Sequence, residues 1–343
     1  MKVFIASVLL FVGSCATIRH SEKISNLKNS ISYSDEGVVK KYLNTITSKE
    51  LKVHLVEVAS DKYNGRMTGE EGHNLVCDYI RDQYKYRDIS APESYPDYYQ
   101  KVPKKALPNN LNASQNVIAY IKGSEFPEEY VYITAHSDHE GIIDGEIYNG
   151  ADDNGSGTAA VLEIAEAFSQ AARDGYRPKR SIVFLHVTAE EVGLYGSKFY
   201  SENPIFPLEN AVATLNMDMI GRVDNRHKDD ENYIYVIGSN KMSSELHYIT
   251  EEANSTFTNL NLDYKYNADN DPNNYYYRSD HYNFALKGVP VIFFFNGEHE
   301  DYTKPTDTED KINYPLLEKR AKLIFATAWY LANSKTRLKK EII

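Results

Sequence analysis

Two textures alternate along the chain, and each predicts a different element. Residues 116–121, 130–135, 181–187, 212–215, 233–237 and 289–295 are short, nearly continuous apolar runs with β-branched or aromatic members. That is the pattern of strands buried on both faces. Around them lie segments whose apolar positions recur every three or four residues, which predicts helices over 37–60, 74–84, 158–172, 243–253 and 315–333. Pro315 suits the first turn of the last of these. The Pro- and Asn-rich stretch 91–112 reads as a loop. Strands alternating with helices predict an α/β sandwich around a largely buried sheet. No break in composition divides it, so residues 37–335 read as a single domain and 336–343 as a polar, solvated tail.

The first residues carry a different signal. A basic start at Lys2 precedes a short apolar run, Val3 to Val12, and then Gly13-Ser14-Cys15. This reads as a secretory signal. The run is shorter than the ~20 apolar residues a permanent span needs. Its end resembles a bacterial lipobox, so residues 1–14 are expected to be a lipoprotein signal peptide, with Cys15 the site of lipidation. Residues 15–36 then read as a tether. The expected location is outside the cytoplasm, lipid-anchored to a bacterial membrane on its periplasmic or cell-surface side.

Charge and cysteine content narrow the function classes. There are 38 Lys and Arg against 49 Asp and Glu, a formal charge of −11. No basic field is available to hold a phosphate backbone, so nucleic acid is not an expected partner. Two cysteines, Cys15 and Cys77, exclude a disulfide scaffold and a cysteine-built zinc site.

Chemistry gathers at the predicted strand ends, where open α/β sheets place their sites. His136-Ser137-Asp138 follows one strand; in extended chain Asp138 lies on the same side as His136 and can fix its tautomer. The turn from Asn149 to Gly157 holds Asp152 and Asp153 and leads into a helix. Glu190-Glu191 follows 181–187; one carboxylate can ligate a metal while its neighbour handles a proton. Asp218 closes another strand. One imidazole and several carboxylates from separate strand ends form the ligand set of a two-metal hydrolytic site, with zinc the expected ion.

These motifs, together with Asn64–Gly69, Ala189–Ser197, Asn216-Met217-Asp218 and Ser279-Asp280-His281, resemble the co-catalytic di-zinc aminopeptidases, metallopeptidase family twenty-eight. The resemblance runs from about Leu55 to Asn333. It implies a three-layer α/β/α sandwich with a twisted, mixed, mostly parallel central sheet. It implies His136 and Asp218 on one metal, Asp152 bridging to a second, and Glu191 on that second metal. Glu190 becomes the general base for a zinc-dependent exopeptidase acting on peptides. Asp138 orients His136, Ser279 supports Asp218, Asp153 is a supporting neighbour, and the Asp152–Asp153 bond is expected to be cis. Tyr276 is the expected oxyanion donor.

One departure changes the expectation. Where the family supplies a last histidine ligand, this chain has Thr303, within Asp301-Tyr302-Thr303-Lys304-Pro305. A hydroxyl is a poor zinc ligand beside an imidazole. The ligand slot at Thr303 is therefore expected to be vacant and the second metal weakened, with His299 a possible substitute and Lys304 pointing outward. The alternative to an exopeptidase is an impaired or non-catalytic lipid-tethered binding protein. Glutaminyl cyclisation ranks lower, because it relies on the missing histidine.

Overall fold

The computed structural model of the protein describes residues 21–108 and 110–341. The expected signal segment and Cys15 lie outside these residues. Ten strands are described: β1 (Tyr99–Val102), β2 (Ser114–Ile121), β3 (Phe126–His136), β4 (Gly141–Ile143), β5 (Glu146–Tyr148), β6 (Arg180–Val187), β7 (Ala211–Met217), β8 (Tyr233–Ile237), β9 (Asn261–Asp263) and β10 (Val291–Phe295). Eight form one sheet in the order β1-β2-β6-β3-β7-β10-β8-β9, and β4 and β5 pair as a separate hairpin. Within the sheet β6, β3, β7 and β10 run parallel as neighbours. β1–β2, β2–β6 and β10–β8 are antiparallel, so the sheet is mixed.

Alternation within the central strands explains the layers. Val131, Ile133 and Ala135 of β3 and Ile182 and Phe184 of β6 belong to one core. Tyr130 and Tyr132, with Val183, Leu185 and Val187, belong to the other. Both faces are apolar, so helices must cover both. The first face takes α1 (Glu36–Leu43), α2 (Ser48–Val58), α3 (Glu71–Tyr86), α4 (Gly157–Arg173), α6 (Ser244–Phe257) and α8 (Tyr314–Asn333). The second takes α5 (Tyr195–Glu202) and the short α7 (His281–Ala285), through Tyr200 and Phe284. This is the three-layer α/β/α sandwich. Pro315 sits in the first turn of α8, where Asn313 caps the N–H of Leu316.

Several expected boundaries change. Residues 37–60 form two helices rather than one, because Thr47 is extended and its side chain accepts from the N–H of Glu50, which starts α2 afresh. The expected loop 91–112 contains β1, an edge strand with Tyr99 opposite Val117. The folded body begins before residue 37: residues 21–30 are helical, and Ile31 is buried with Leu27 and Tyr33 packed on the same core. The tail is docked. Leu338 is buried, and the Glu341 carboxylate accepts from Ser244 Oγ at 2.7 Å at the start of α6, where a helix favours negative charge. Among the described residues no helix is long and apolar enough to cross a membrane.

One buried cation fixes the loops at the site end of the sheet. Asn64, Gly65 and Arg66 take φ of 47°, 70° and 56°. At Gly65 a Cβ would lie 2.3 Å from the carbonyl oxygen of Gly141, so only glycine fits. The turn carries Arg66 inward, where it is 1% exposed. Its guanidinium donates to the carbonyls of Ser137 (3.1 Å), Val58 (3.0 Å), Asn149 (2.6 Å) and Gly150 (3.0 Å). The loop after β3, the end of α2 and the turn before α4 are thereby held together.

Replacing Arg66 by methionine keeps length and strips these carbonyls of their donor. Chemical denaturation is expected to show a loss of about 3–5 kcal/mol, as for breaking a buried charged contact. A loss below about 1 kcal/mol, within the ordinary range of surface substitutions, would mean the staple is dispensable.

Candidate metal centre

Because β6, β3 and β7 are parallel neighbours, their C-terminal ends open on the same edge of the sheet. His136 is the last residue of β3, opposite Val187 of β6. Asp218 follows β7, and Glu190 and Glu191 follow β6 a few residues on. The turn before α4 brings Asp153 over the same edge. His136 Nε2 lies 3.3 Å from Asp153 Oδ1 and 3.3 Å from Asp218 Oδ1. Its Nδ1 is 3.2 Å from the backbone oxygen of Asp138. A proton on Nδ1 donates to that carbonyl and leaves the Nε2 lone pair facing two carboxylates. Such a contact is repulsive unless a proton or a cation lies between. The donor set of His136, Asp153 and Asp218, with all ligand atoms within 4.8 Å of one another, fits a divalent ion that takes imidazole and carboxylate.

The supporting contacts refine the expectations. Ser279 Oγ donates to Asp218 Oδ2 at 2.7 Å and accepts from Asn216 Nδ2 at 2.9 Å. Asp138 meets the His136 ring with its backbone oxygen. Its carboxylate Oδ1 also lies 3.8 Å from His136 Nδ1, and the carboxylate accepts from the Glu190 N–H at 3.2 Å and from Thr68 Oγ1 at 2.8 Å. It thus positions Glu190 as well as His136. On the far side of Asp153, Glu191 Oε1 is 2.6 Å from His139 Nδ1. His139, Asp153 and Glu191 make a second imidazole–carboxylate group that shares Asp153 with the first.

So many acids in one place alter their proton affinity. Burial, then repulsion from Glu191, lifts Asp153 to about 6. Burial, opposed by His136 and reinforced by Asp138, Glu140 and Asp218, lifts Glu191 to about 8. Burial, opposed by His136 and Ser197, lifts Asp280 to about 7. Burial raises Glu190 well above the carboxylate range, with Asp218, Glu191 and Asp280 adding to it against the pull of His136. Burial opposes the charge of His136, but Asp218 and Glu190 carry it well above an ordinary imidazole. Without a divalent ion, protons stand in for the missing positive charge.

Three expected placements are corrected. Asp153, and not Asp152, reaches His136. The Asp152 side chain turns the other way, accepting from the Gly221 N–H at 2.6 Å and pairing with His299 Nε2 at 3.2 Å. His299 is thereby engaged away from the ligand groups. The cis peptide bond joins Asp153 to Asn154, one position later than expected. Tyr276 does not line the cleft; its ring packs against Tyr277, Tyr282 and His281, and its carbonyl meets His281 Nε2 at 2.8 Å.

The fourth expectation concerned the residues around Thr303. Thr303 is exposed with φ of 54°, while Tyr302 beside it faces the carboxylates from the wall of the cleft. Lys304 points outward and caps the Glu300 carbonyl at 2.6 Å. The cleft is lined by Asp153, Glu190, Glu191 and Asp218, with Tyr275, Arg278, Glu298 and Tyr302 on its wall. His139 and Tyr302 are the residues sequence reasoning passed over. The signal for His139 was its place three residues after His136 in a single turn-forming segment.

The pattern of Peptidase family M28 matches residues 116–328, more than half of the chain. A probable zinc metalloprotease of Pyricularia oryzae is 28% identical over 281 residues, which cover 70% of this chain and 53% of that protein. The chain thus spans about half the length of that curated relative. Among solved structures, the Legionella pneumophila LapA aminopeptidase aligns with a TM-score of 0.68 at 20% identity, covering 90% of this chain and 76% of that one. BSAP, a zinc aminopeptidase from Bacillus subtilis, aligns with a TM-score of 0.64 at 16% identity, covering 87% of this chain and 99% of that one. At these identities the likeness is one of fold.

The raised acids set the pH response of the metal-free protein. Folded, Glu191, Asp280 and Glu190 hold protons that unfolded carboxyls, with ordinary values near 4, have released. The folded state therefore binds more protons, and its stability falls as pH rises through their folded values. His136, raised, acts in the same direction. Buried His73, His186 and His281, all lowered by burial, act oppositely, but only below about 6.5 where unfolded imidazole titrates. With chelator present, the melting temperature should therefore fall between about pH 7 and about pH 8.5, and saturating zinc should flatten that slope because ligands bind ionised. A midpoint that rises across this window in chelator would contradict the assignment.

Proposed function

The chain belongs to Peptidase family M28, and from that membership and the centre described above we propose that it is a zinc-dependent exopeptidase of the aminopeptidase kind. The observation that carries this is the division of labour between adjacent acids after β6. Both line the cleft, but Glu191 pairs with His139 while Glu190 has its backbone N–H tied to the Asp138 carboxylate.

His136, Asp153 and Asp218 would hold a divalent ion, with Glu191 adding a carboxylate on the other side of Asp153. A bound zinc ion supplies Lewis acidity toward a peptide carbonyl and lowers the pKa of water. Glu190 accepts a proton from the attacking water and delivers it to the departing nitrogen, so that the C–N bond breaks with a neutral amine leaving. Tyr302 takes the place expected for Tyr276. It lies on the cleft wall, and burial, then Asp153, hold its hydroxyl protonated well above an ordinary phenol, so it can donate to the carbonyl oxygen as charge develops.

The substrates are peptides with a free N-terminus, met outside the cytoplasm by a body tethered through a lipid on Cys15. The support for that location is the sequence of residues 1–15. A lipid-tethered binding protein without catalysis is the second reading, favoured by the outward-facing Thr303.

Hydrolysis of aminoacyl-nitroanilides, measured with and without zinc, separates the two. Glu190→Gln should lower kcat by about 10²–10⁴-fold with little change in melting temperature. Tyr302→Phe should lower kcat by about 10²-fold, whereas Tyr276→Phe should leave it within about twofold. Wild type no faster than Glu190→Gln on a broad panel establishes the binding protein. Separately, Cys15→Ala should move the protein from the membrane fraction to the soluble fraction on cell lysis; an unchanged distribution excludes the lipid tether.

A further inference from the structure

The position expected to ligate a second metal is turned outward at Thr303, yet an imidazole stands on the opposite side of the same cluster. His139 is 1% exposed. Its Nδ1 faces Glu191 Oε1 at 2.6 Å, and its Nε2 is buried with no hydrogen-bond partner. His139, Asp153 and Glu191 each offer one ligand atom, and these atoms lie within 4.8 Å of one another.

The ring is also held in place from two sides. The His139 N–H donates to the carbonyl of Arg66 at 3.2 Å, so the backbone rests on the same residue that staples the surrounding loops. Gly150 has φ of 49°, and a Cβ there would lie 2.4 Å from His139 Cδ2. The turn that delivers Asp153 therefore passes flush against the imidazole, and it does so only as glycine. Imidazole and bridging acid are positioned by one piece of packing.

We propose that His139 supplies the imidazole of a second divalent-cation site, with Glu191 as its own carboxylate and Asp153 shared with the site of His136 and Asp218, and that Thr303 takes no part. This rests on the metal-dependent reading above and makes it more specific: the second site is complete, and its histidine comes from the segment that already provides the first. The ligand chemistry, one imidazole and two carboxylates, is that of zinc or a similar transition ion.

The experiment uses the full chain, stripped with chelator, reloaded with excess zinc and freed of unbound metal. Zinc content is expected to be about two per chain for wild type and for Thr303→Ala, and about one for His139→Ala. Wild type retaining only one ion, His139→Ala retaining two, or Thr303→Ala losing one would each overturn the proposal. Anomalous diffraction at the zinc edge on wild-type crystals needs no variant, and so decides the matter even if His139→Ala does not fold. It should show a peak about 2.0–2.1 Å from a His139 ring nitrogen. A second peak out of reach of that ring, or a single peak beside His136, refutes it. A protein that hydrolyses nitroanilides with one ion bound defeats this inference alone, whereas one that neither binds zinc nor hydrolyses them defeats the peptidase reading as well.

Discussion

Four backbone carbonyls from three segments converge on one guanidinium that never meets water, and the metal centre inherits its geometry from that convergence. Burying an arginine costs several kcal/mol unless its donors are satisfied. Arg66 meets that condition through the carbonyls of Val58, Ser137, Asn149 and Gly150. Ser137 lies directly after His136, and Gly150 is three residues before Asp153. The two segments that carry the shared ligands are thus hung from one side chain. Arg320 does similar work at the neighbouring corner, where it is fully buried and donates to the carbonyls of Tyr233, Ile220 and Arg222. Neither guanidinium is aimed at the carboxylates it supports. Their charge acts through the field, and their hydrogen bonds shape the backbone.

The turn before α4 shows how tightly that shaping is specified. The N–H groups of Asp152 and Asp153 both donate to Asp307 Oδ2, at 2.9 and 3.1 Å. Asn154 donates to the carbonyl of Met217 at 2.8 Å and accepts from the N–H of Gly157 at 3.0 Å, which ties the turn to the exit of β7 and to the start of α4. With the backbone fixed on both sides, consecutive side chains have no choice of direction. Asp152 is sent toward Gly221 and His299, and Asp153 toward His136.

This explains what the sequence made legible and what it did not. The central strands were readable because burial on both faces leaves a continuous apolar run, as in β6 and β10. The residue types of the centre were readable because acids at the ends of such strands have few other uses. Choosing between Asp152 and Asp153 was not possible from periodicity, since an irregular turn has no period. The same holds for Tyr302 and Thr303, where a positive φ at Thr303 turns it outward. Short elements escaped for a different reason. β4, β5 and β9 have three residues each, too few to show alternation. The β4–β5 hairpin still carried a local signal in Asp144-Gly145, both with positive φ, a pair that favours a tight hairpin turn. His139 escaped because its one signal, a place three residues after His136, does not by itself separate a ligand from a core or surface histidine; the fold brings it to Glu191.

Whether protein cations alone could neutralise the cluster can be argued from where their donors point. The donors of Arg66 already contact carbonyls on the protein side. Arg278, on the cleft wall, faces Glu298 at 3.2 Å and the Tyr302 hydroxyl at 3.4 Å. Arg222 is engaged with Asp301 at 2.8 Å and lies 3.6 Å from Asp307. His136 can carry one proton, shared between Asp153 and Asp218. The ligand atoms of His136, Asp153 and Asp218 lie within 4.8 Å of one another, which leaves little room for a lysine or arginine head and its hydration. Only a proton or a compact ion of higher charge fits there, and the proton neutralises one acceptor where the ion engages several. The fold therefore presents a choice between a partly protonated cluster and a metallated one. Those two states differ in charge and hydrogen bonding at the end of the sheet where β3, β6 and β7 terminate, so metal, protons and local stability are linked through the same few side chains.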